Sequence, residues 1–268
     1  MKTNDEASAY EKAAATGQDP RVVPISLDGP VPEAGAIPYP AYPETDQETW
    51  RILYERQRDL LPGRACDEYL EGLGMMEFPE DRIPALRDVG RVLLRTTCWQ
   101  IARIPGLLHE RDFFGFLARR VFPSTDYMRP RHELDYTPAP DLFHDVFGHT
   151  PMITQPAFAD FYQRIGQVAL RAEGKNRRRL ERFYWFTVEF GLIRTPAGLR
   201  IYGNGILSSY AEVRHSLTDA VEVRPFDPAA MIEQDYDVWH LQPLLYAIDS
   251  FEQLAEGFDG WARSEGLL

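Results

Sequence analysis

The sequence predicts one mainly helical domain with a minor β element, on three observations. The chain has 268 residues, of which 44% are hydrophobic and 12% aromatic, so it can bury a core of its own. Amphipathic patterns of helical period dominate, whereas strand patterns are few and short. The predicted helices cover residues 46–60, 64–72, 83–95, 110–119, 141–147, 156–172, 177–190 and 250–264.

The first 45 residues differ in composition from the rest of the chain. They contain seven of the 21 prolines, and proline fixes one backbone torsion and donates no amide hydrogen bond. We therefore expect residues 1–45 to form an arm without helix, extended over the surface or partly disordered. The folded domain is predicted to span residues 46–268 and to begin at an N-cap near Thr45.

The minor β element is predicted at two places. Residues 192–202 contain two short apolar stretches around Pro196, Ala197 and Gly198, a turn sequence that suits a β-hairpin. A second short strand is predicted at residues 221–223.

Charge and cysteine content exclude several classes of partner and location. The chain carries 29 basic and 41 acidic side chains, a net charge of −12, which disfavours nucleic acids and anionic membranes as partners. The chain has no run of about 18 apolar residues that could cross a bilayer. Its acidic N-terminus lacks the basic and apolar segments of a signal peptide. With only Cys66 and Cys98, we expect a cytoplasmic protein, although one disulfide remains open.

His144 and His149 lie five residues apart in a segment predicted to be helical. On a straight α-helix their side chains would point about 140° apart, so they can meet at one metal ion only if the helix is distorted or ends between them. Gly148 and Pro151 predict that it ends there. The alternative is that one histidine belongs to the core and the other caps the helix at the surface.

Glu189 is the only charged residue across positions 183–193. A buried carboxylate needs a partner, because desolvating it alone costs several kcal/mol. A divalent metal shared with His144 and His149 would supply that partner, and two imidazoles with one carboxylate are typical of non-haem Fe(II) oxygenases. The alternative is a buried salt bridge between Glu189 and an arginine.

Four separately spaced motifs resemble those of the tetrahydropterin-dependent aromatic amino acid hydroxylases, most of all the short bacterial phenylalanine hydroxylases. They are PDLFHDVFGHTPMITQPAFADFYQRIG (140–166), YWFTVEFGL (184–192), LRIYGNGILSS (199–209) and LQPLLYAIDSF (241–251). The resemblance implies a single catalytic domain of that type over 46–268. It implies Fe(II) held by His144, His149 and Glu189, and tetrahydrobiopterin or a related reduced pterin as cofactor.

The resemblance also assigns roles around the iron. It implies that Arg129 binds the substrate carboxylate, a task that suits the two-pronged arginine side chain. The other substrate-binding residues implied are Thr137, Pro140, Asp141, Trp185, Phe190, Asn204 and Ser208, with Asp141 buttressing Arg129. The pterin would stack on Phe113 and contact Gly106, Leu108 and Asp145, and Tyr236 would lie near the iron.

Asn204 departs from the family, which commonly has alanine between the two glycines of this motif. Asparagine there can be a turn residue, because it tolerates left-handed backbone geometry. Alternatively, its amide narrows the substrate pocket or hydrogen-bonds a polar ring substituent, and so changes the substrate or the ring carbon that is attacked.

The activity that the resemblance implies is hydroxylation of L-phenylalanine to tyrosine with O2 and tetrahydropterin at Fe(II). The alternatives are the same chemistry on tyrosine or tryptophan, or at the meta position of phenylalanine. Trp185 disfavours tryptophan as substrate, and Val238 disfavours tyrosine, since tyrosine hydroxylases typically carry aspartate there. A zinc-dependent hydrolase and a non-catalytic binding protein are more distant alternatives. We expect a monomer, because the regulatory domain and oligomerisation helix of animal members are missing.

Overall fold

The computed structural model describes residues 9–17, 19–27 and 37–268. This part of the chain is mainly helical, as predicted. Its α-helices are α1 (Ala9–Ala15), α2 (Glu44–Leu60), α3 (Asp67–Met76), α4 (Leu86–Thr97), α5 (Glu110–Leu117), α6 (Thr150–Ile153), α7 (Pro156–Ala169), α8 (Lys175–Tyr184), α9 (Asn204–Leu207), α10 (Tyr210–His215), α11 (Pro228–Met231) and α12 (Phe251–Ser264). Two segments are π-helical, π1 (Phe143–His149) and π2 (Trp185–Glu189).

The helices form where apolar residues recur at helical spacing. In α4 the buried residues are Leu86, Val89, Gly90, Leu93 and Thr97, a stripe three to four residues apart that faces the core. Helix α2 begins at Glu44, and its N-cap is Pro43, which offers no capping side chain. The N-cap predicted near Thr45 is therefore wrong, although the helix itself is confirmed.

Six strands form two small sheets within the described residues. The strands are β1 (Gln100–Arg103), β2 (Val121–Ser124), β3 (Gly191–Thr195), β4 (Gly198–Ile201), β5 (Glu222–Pro225) and β6 (Leu244–Ile248). One sheet has the order β4-β3-β6-β5, with β3 and β4 antiparallel and β6 parallel to both β3 and β5; the other pairs β1 with β2 in parallel. The predicted hairpin and the strand after residue 221 are confirmed, whereas β1, β2 and β6 were not predicted.

A single large core joins the helices to the four-stranded sheet. Phe143 and Phe147 of π1 stack with their ring centroids 4.6 Å apart, and Trp50 of α2 contacts Phe143 edge-on at 5.3 Å. These rings fix π1 against α2. The opposite side of π1, which carries the two histidines, is thereby turned toward π2.

The described part of the N-terminal arm departs from the prediction at two places, the helix α1 and a 3-10 turn at Pro20–Val22. Residues 9–15 form α1, because this alanine-rich stretch precedes the first proline, Pro20, and alanine has the highest helix propensity. Further along, Ile25 pairs with Leu108 as an isolated parallel bridge, and Arg21 forms an ion pair with Glu133. Residues 19–27 are thus held across two loops of the domain. Positions 1–8, 18 and 28–36 of the predicted arm lie outside the described residues.

The expectations for the two cysteines and for membrane-spanning helices concern features that the structure describes. Both cysteines are free, Cys66 buried and Cys98 exposed, so the disulfide that the sequence left open is not formed. Across residues 9–17, 19–27 and 37–268, no helix has the length and apolar character that a bilayer-crossing segment needs.

Candidate active site

The three predicted metal ligands lie on the two π-helical segments. His144 and His149 belong to π1, and Glu189 is the last residue of π2. A π-helix bonds residue i to residue i+5, so side chains five positions apart come to the same face. Of the two arrangements that would let the histidines meet, the structure has the distorted helix. The predicted helix end at Gly148 and Pro151 is wrong, since α6 continues directly from π1 at Thr150.

The ligand atoms of these residues converge at one point. The two histidine Nε2 atoms are 3.0 Å apart, and Glu189 carboxylate oxygens lie 3.3 Å from His149 Nε2 and 3.7 Å from His144 Nε2. One ligand atom from each residue lies within 4.8 Å of the others. No arginine forms an ion pair with Glu189 in the described part of the chain, so the alternative of a buried Glu–Arg pair is wrong.

The electrostatics of this cluster suit a bound cation. Burial lowers the pKa of His144 to about 4 and that of His149 well below its ordinary value, so both rings are neutral at pH 7. Burial raises the pKa of Glu189 to about 8, and a hydrogen bond from the Tyr184 hydroxyl opposes that rise. Two neutral imidazoles and a carboxyl without a nearby arginine form a donor set that a divalent metal completes.

The cluster lies at the bottom of an open cavity of about 1300 Å³, a volume that includes its solvent-filled mouth. The structure brings most of the predicted site residues to its wall. These are Gly106, Leu108, Phe113, Arg129, Thr137, Pro140, Asp145, Trp185, Phe190, Ser208 and Tyr236, with the three metal-ligand candidates. Asp141 and Asn204 do not line the cavity. Asp141 instead contacts Arg129, as predicted.

Arg129 is held in the wall by a two-pronged ion pair. Its Nε and one terminal nitrogen donate to the two carboxylate oxygens of Asp141, at 2.9 and 2.7 Å. Both side chains are buried, and the other terminal nitrogen, Nη1, has no hydrogen-bond partner among the described residues. A buried N–H without a partner is costly, so this atom is suited to an anionic group of a ligand entering the cavity.

Aromatic rings form another part of the cavity wall. Trp185 stacks on Phe190 with centroids 4.4 Å apart and on Tyr236 at 4.1 Å. The Trp185 indole N–H donates to Gln242 Oε1 at 3.1 Å, which fixes the plane of the indole ring. The three rings form one rigid stack in the cavity wall close to Glu189, and the cavity space beside this stack, the aromatic slot, is of a kind that accepts a flat ring.

A second group of candidates lines another part of the cavity. Phe113 contacts Tyr184 edge-on, with centroids 5.7 Å apart, and also lines the cavity. Asp145 accepts hydrogen bonds from the Thr125 backbone N–H and hydroxyl, at 2.7 and 2.8 Å. Burial raises the pKa of Asp145 to about 7, so near neutral pH this carboxyl can accept or donate a hydrogen bond.

Two predicted substrate contacts already have partners inside the protein. The Ser208 hydroxyl oxygen lies 2.9 Å from His144 Nδ1, so it orients that ring. The Thr137 hydroxyl donates to Glu133 Oε2 at 2.7 Å. Both residues line the cavity, but their hydroxyl groups also serve neighbouring side chains.

The structure corrects the expectation for Asn204. Its side chain is fully buried behind His149, with the amide nitrogen 3.0 Å from His149 Nδ1, and does not reach the cavity wall. Its backbone begins α9 and does not adopt left-handed geometry, so the turn explanation is also wrong. The sequence showed that Asn204 is unusual, but not which group it contacts.

Several residues at this site were missed by sequence reasoning. Tyr10, from the arm, lines the cavity, and Glu133 connects Thr137 to Arg21 of the arm. Tyr162 of α7 contacts His149, and Gln242 holds Trp185. Tyr162 and Gln242 lie within two of the motifs quoted above, but the motifs do not indicate which side chains these residues contact, since the partners belong to other elements.

Comparison with known proteins agrees with this geometry. The model of the biopterin-dependent aromatic amino acid hydroxylase family matches residues 32–265. The phenylalanine-4-hydroxylase of Ralstonia nicotianae is 47% identical over 219 residues, which cover 81% of this chain and 70% of that protein. The crystal structure of Chromobacterium violaceum phenylalanine hydroxylase with bound iron (III) and 7,8-dihydrobiopterin is similar with a TM-score of 0.81 and 41% identity, covering 87% of this chain and 86% of the other.

A second structure of the Chromobacterium violaceum enzyme, with iron and phenylalanine bound, has a TM-score of 0.81 and 39% identity, and the match covers 92% of this chain and 91% of that one. The comparisons give no support to the zinc hydrolase alternative. Both the match to the family model and the identity to these relatives extend over most of the chain. The chain therefore belongs to the biopterin-dependent aromatic amino acid hydroxylases.

Proposed function

We propose that this protein hydroxylates the ring of L-phenylalanine to give tyrosine, using O2, Fe(II) and a reduced pterin. The observation that carries the proposal is the convergence of His144, His149 and Glu189 beside an aromatic slot and an arginine with an unpartnered N–H. Relatives named phenylalanine-4-hydroxylase support the choice of substrate. We also propose a cytoplasmic location, because the chain has a net charge of −12 and both of its thiols are free.

His144, His149 and Glu189 would hold the iron, each through the atoms that already converge. Bound there together with a reduced pterin, the iron supplies the activation of O2. Ser208 orients His144 by accepting from its Nδ1–H, so the lone pair on Nε2 points at the metal position. The protein thus fixes the direction of its ligands before the metal arrives.

Arg129 would bind the carboxylate of the amino acid through its free terminal nitrogen. Asp141 holds the remaining edge of the guanidinium, so the arginine cannot turn away. The substrate ring would then enter the slot of Trp185, Phe190 and Pro140, whose apolar surfaces exclude water from the ring. Substrate orientation therefore depends on one ionic contact and one aromatic slot.

The pterin would stack on Phe113, with Gly106, Leu108 and Asp145 around it. Stacking on phenylalanine contributes on the order of 1 kcal/mol beyond the area that it buries. The Asp145 carboxyl, whose pKa burial raises to about 7, can hydrogen-bond polar edges of the pterin ring. Gly106 and Leu108 precede α5, Phe113 lies on α5, and Asp145 lies on π1; Ile25 of the arm pairs with Leu108.

Oxygen uptake tests the proposal. Metal-free protein is loaded under anaerobic conditions with Fe(II) or with Zn(II), mixed with tetrahydropterin, and exposed to O2 with phenylalanine, tyrosine or tryptophan. We expect uptake with tyrosine formation from phenylalanine only in the Fe(II) sample. Uptake that does not depend on iron, or a preference for tryptophan, would contradict the proposal.

A further inference from the structure

Two polar side chains meet at the nitrogen of His149 that faces away from the metal position. The Tyr162 hydroxyl lies 2.9 Å from Nδ1, and the Asn204 amide lies 3.0 Å from the same atom. Both side chains are fully buried, so water does not compete for this nitrogen. On the other side of the ring, Nε2 faces Glu189.

The proposed function, on which this inference rests, determines which ring nitrogen of His149 carries the proton. When Nε2 binds a metal, the neutral ring carries its proton on Nδ1, which must then find an acceptor. The Asn204 amide nitrogen is a donor and cannot serve, and Asn204 Oδ1 is buried without a hydrogen-bond partner among the described residues. The two ends of an amide have nearly the same shape, so the hydrogen-bond network decides which end faces the ring.

We propose that Asn204 and Tyr162 are positioning residues for the iron ligand His149, with Asn204 Oδ1 and the Tyr162 hydroxyl oxygen sharing its Nδ1–H. The Asn204 amide then presents its oxygen to the ring. With this orientation the Asn204 amide N–H no longer faces the Nδ1–H of His149, so two donors are not in contact. This arrangement also fixes the tautomer and the plane of His149.

The Tyr162 hydroxyl, the second acceptor, extends the hydrogen-bond network from His149 to the metal-ligand candidate Glu189. Because the Tyr162 hydroxyl accepts from His149, its own proton is free to donate to the Tyr184 hydroxyl, 2.7 Å away. Tyr184 in turn hydrogen-bonds Glu189. Each hydrogen bond is donated in the direction from His149 to Glu189, so Tyr162 and Tyr184 connect two metal ligands, and Tyr184 also lines the cavity.

The backbone around Asn204 is packed closely against neighbouring segments. A Cβ at Gly203 would lie 2.4 Å from the backbone nitrogen of Gly191, and one at Gly148 would lie 2.9 Å from the Asn204 carbonyl oxygen. Helix α9 is therefore in direct contact with π1 and with the start of β3. This packing holds the backbone of Asn204 against π1, the segment that carries His149, so the side chain starts from a fixed position beside the ring.

Cobalt binding to the metal-free protein tests the proposal, with Co(II) as the probe and a competing chelator as the indicator. We expect Asn204→Ala and Tyr162→Phe each to raise the Kd about 10-fold, the lower end of the range typical of residues that orient metal ligands. Asn204→Asp keeps an oxygen acceptor and has no N–H donor, so we expect its Kd to stay within about 3-fold of the wild-type value. The matched control is Tyr202→Phe, since the Tyr202 hydroxyl is buried with no hydrogen-bond partner in the described structure.

The outcomes separate this inference from the proposed function. If Asn204→Asp weakens Co(II) binding as much as Asn204→Ala does, the amide nitrogen faces His149 and the inference is wrong. Unchanged affinity in both Asn204→Ala and Tyr162→Phe would equally overturn it. If the affinities follow the expected order but the wild type forms no tyrosine with Fe(II) and pterin, the proposed function fails and the inference stands. Should Asn204→Ala fail to fold, Asn204→Asp and Tyr162→Phe decide the question.

Discussion

At the scale of single residues, the site depends on buried polar groups whose partners are few and specific. Arg129 uses two nitrogens for Asp141 and leaves one for a ligand. Glu189 has two histidines and a tyrosine around it, and it forms no ion pair with an arginine of the described residues. Each of these groups is costly to bury alone, so removal of one partner should weaken ligand binding and also lower the free energy of unfolding.

Arg129→Lys should raise the KM for phenylalanine about 10- to 100-fold. A lysine ammonium cannot satisfy Asp141 and the substrate carboxylate with the same geometry, and hydrogen bonds to charged groups contribute about 1.5 to 3 kcal/mol. The pterin KM should change little. Steady-state kinetics of Arg131→Lys provide the control, because Arg131 pairs with Glu48 at the surface. An equal rise in KM for Arg131→Lys would mean that the wrong arginine has been assigned.

Glu189→Gln should abolish turnover by loss of iron, without unfolding the protein. The amide keeps the size of the side chain but removes the negative charge that the metal requires. Metal analysis after desalting measures bound iron, and circular dichroism checks the fold. Glu212→Gln is a matched control, since Glu212 is also buried, with its pKa also raised to about 8, but lies outside the cluster. Stoichiometric iron in Glu189→Gln would refute the ligand assignment.

Glu212 should make stability depend on pH. Burial raises its pKa to about 8, and its Oε1 accepts from the Gln242 backbone N–H at 3.0 Å. Between about pH 4.5 and 8 the folded protein keeps this proton and the unfolded chain has lost it, so the free energy of unfolding falls as pH rises. Urea unfolding at several pH values should show the wild type losing stability relative to Glu212→Gln over that range. A difference that is constant with pH would contradict the prediction.

At the scale of elements, π1 and π2 bring the ligands together, and close backbone contacts hold them. A Cβ on Gly148 would lie 2.9 Å from the Asn204 carbonyl oxygen and 3.1 Å from the Ser208 Cβ. The glycine is therefore required by the approach of α9 to π1. The sequence had suggested that Gly148 ends the helix, and it does not.

Gly148→Ala should destabilise the protein by about 1 to 3 kcal/mol, the usual cost of forcing a methyl group into a packed interior. Gly74→Ala is the control, because Gly74 lies in α3 and no atom of another element lies within 4 Å of the position that an added methyl group would take. There alanine should stabilise the helix by about 0.5 to 1 kcal/mol. Thermal unfolding measures both variants. A melting temperature of Gly148→Ala at or above that of the wild type would contradict the proposed contact.

The sequence predicted best those helices and strands whose structure follows from the pattern of their own residues. The long amphipathic helices and the hairpin at β3 and β4 were found, and Glu189 was found because it is alone among apolar residues. Strands β1, β2 and β6 were missed, since buried parallel strands of four or five residues show no alternation. The roles of Tyr162 and Asn204 depend on which elements pack together, and neither residue carries a local signal for that.

At the scale of the whole molecule, the arm, the loops and the core elements all contribute to one cavity. Tyr10 and Pro24 come from the arm, Phe113 from α5, and the metal-ligand candidates from π1 and π2. The arm is thus part of the site. The monomeric state stays a prediction, which light scattering checks against the chain mass of 30.8 kDa.

The central claim is that the protein transfers an oxygen atom from O2 to the ring of phenylalanine, and isotope labelling tests it most directly. Fe(II)-loaded protein, reduced pterin and L-phenylalanine are mixed with heavy-isotope O2, and the product is analysed by mass spectrometry and chromatography. We predict tyrosine with one labelled oxygen at the carbon opposite the side chain, formed only when iron and pterin are both present and not by Glu189→Gln. Unlabelled tyrosine, hydroxylation at another ring carbon, or pterin oxidation without an amino acid product would contradict the claim.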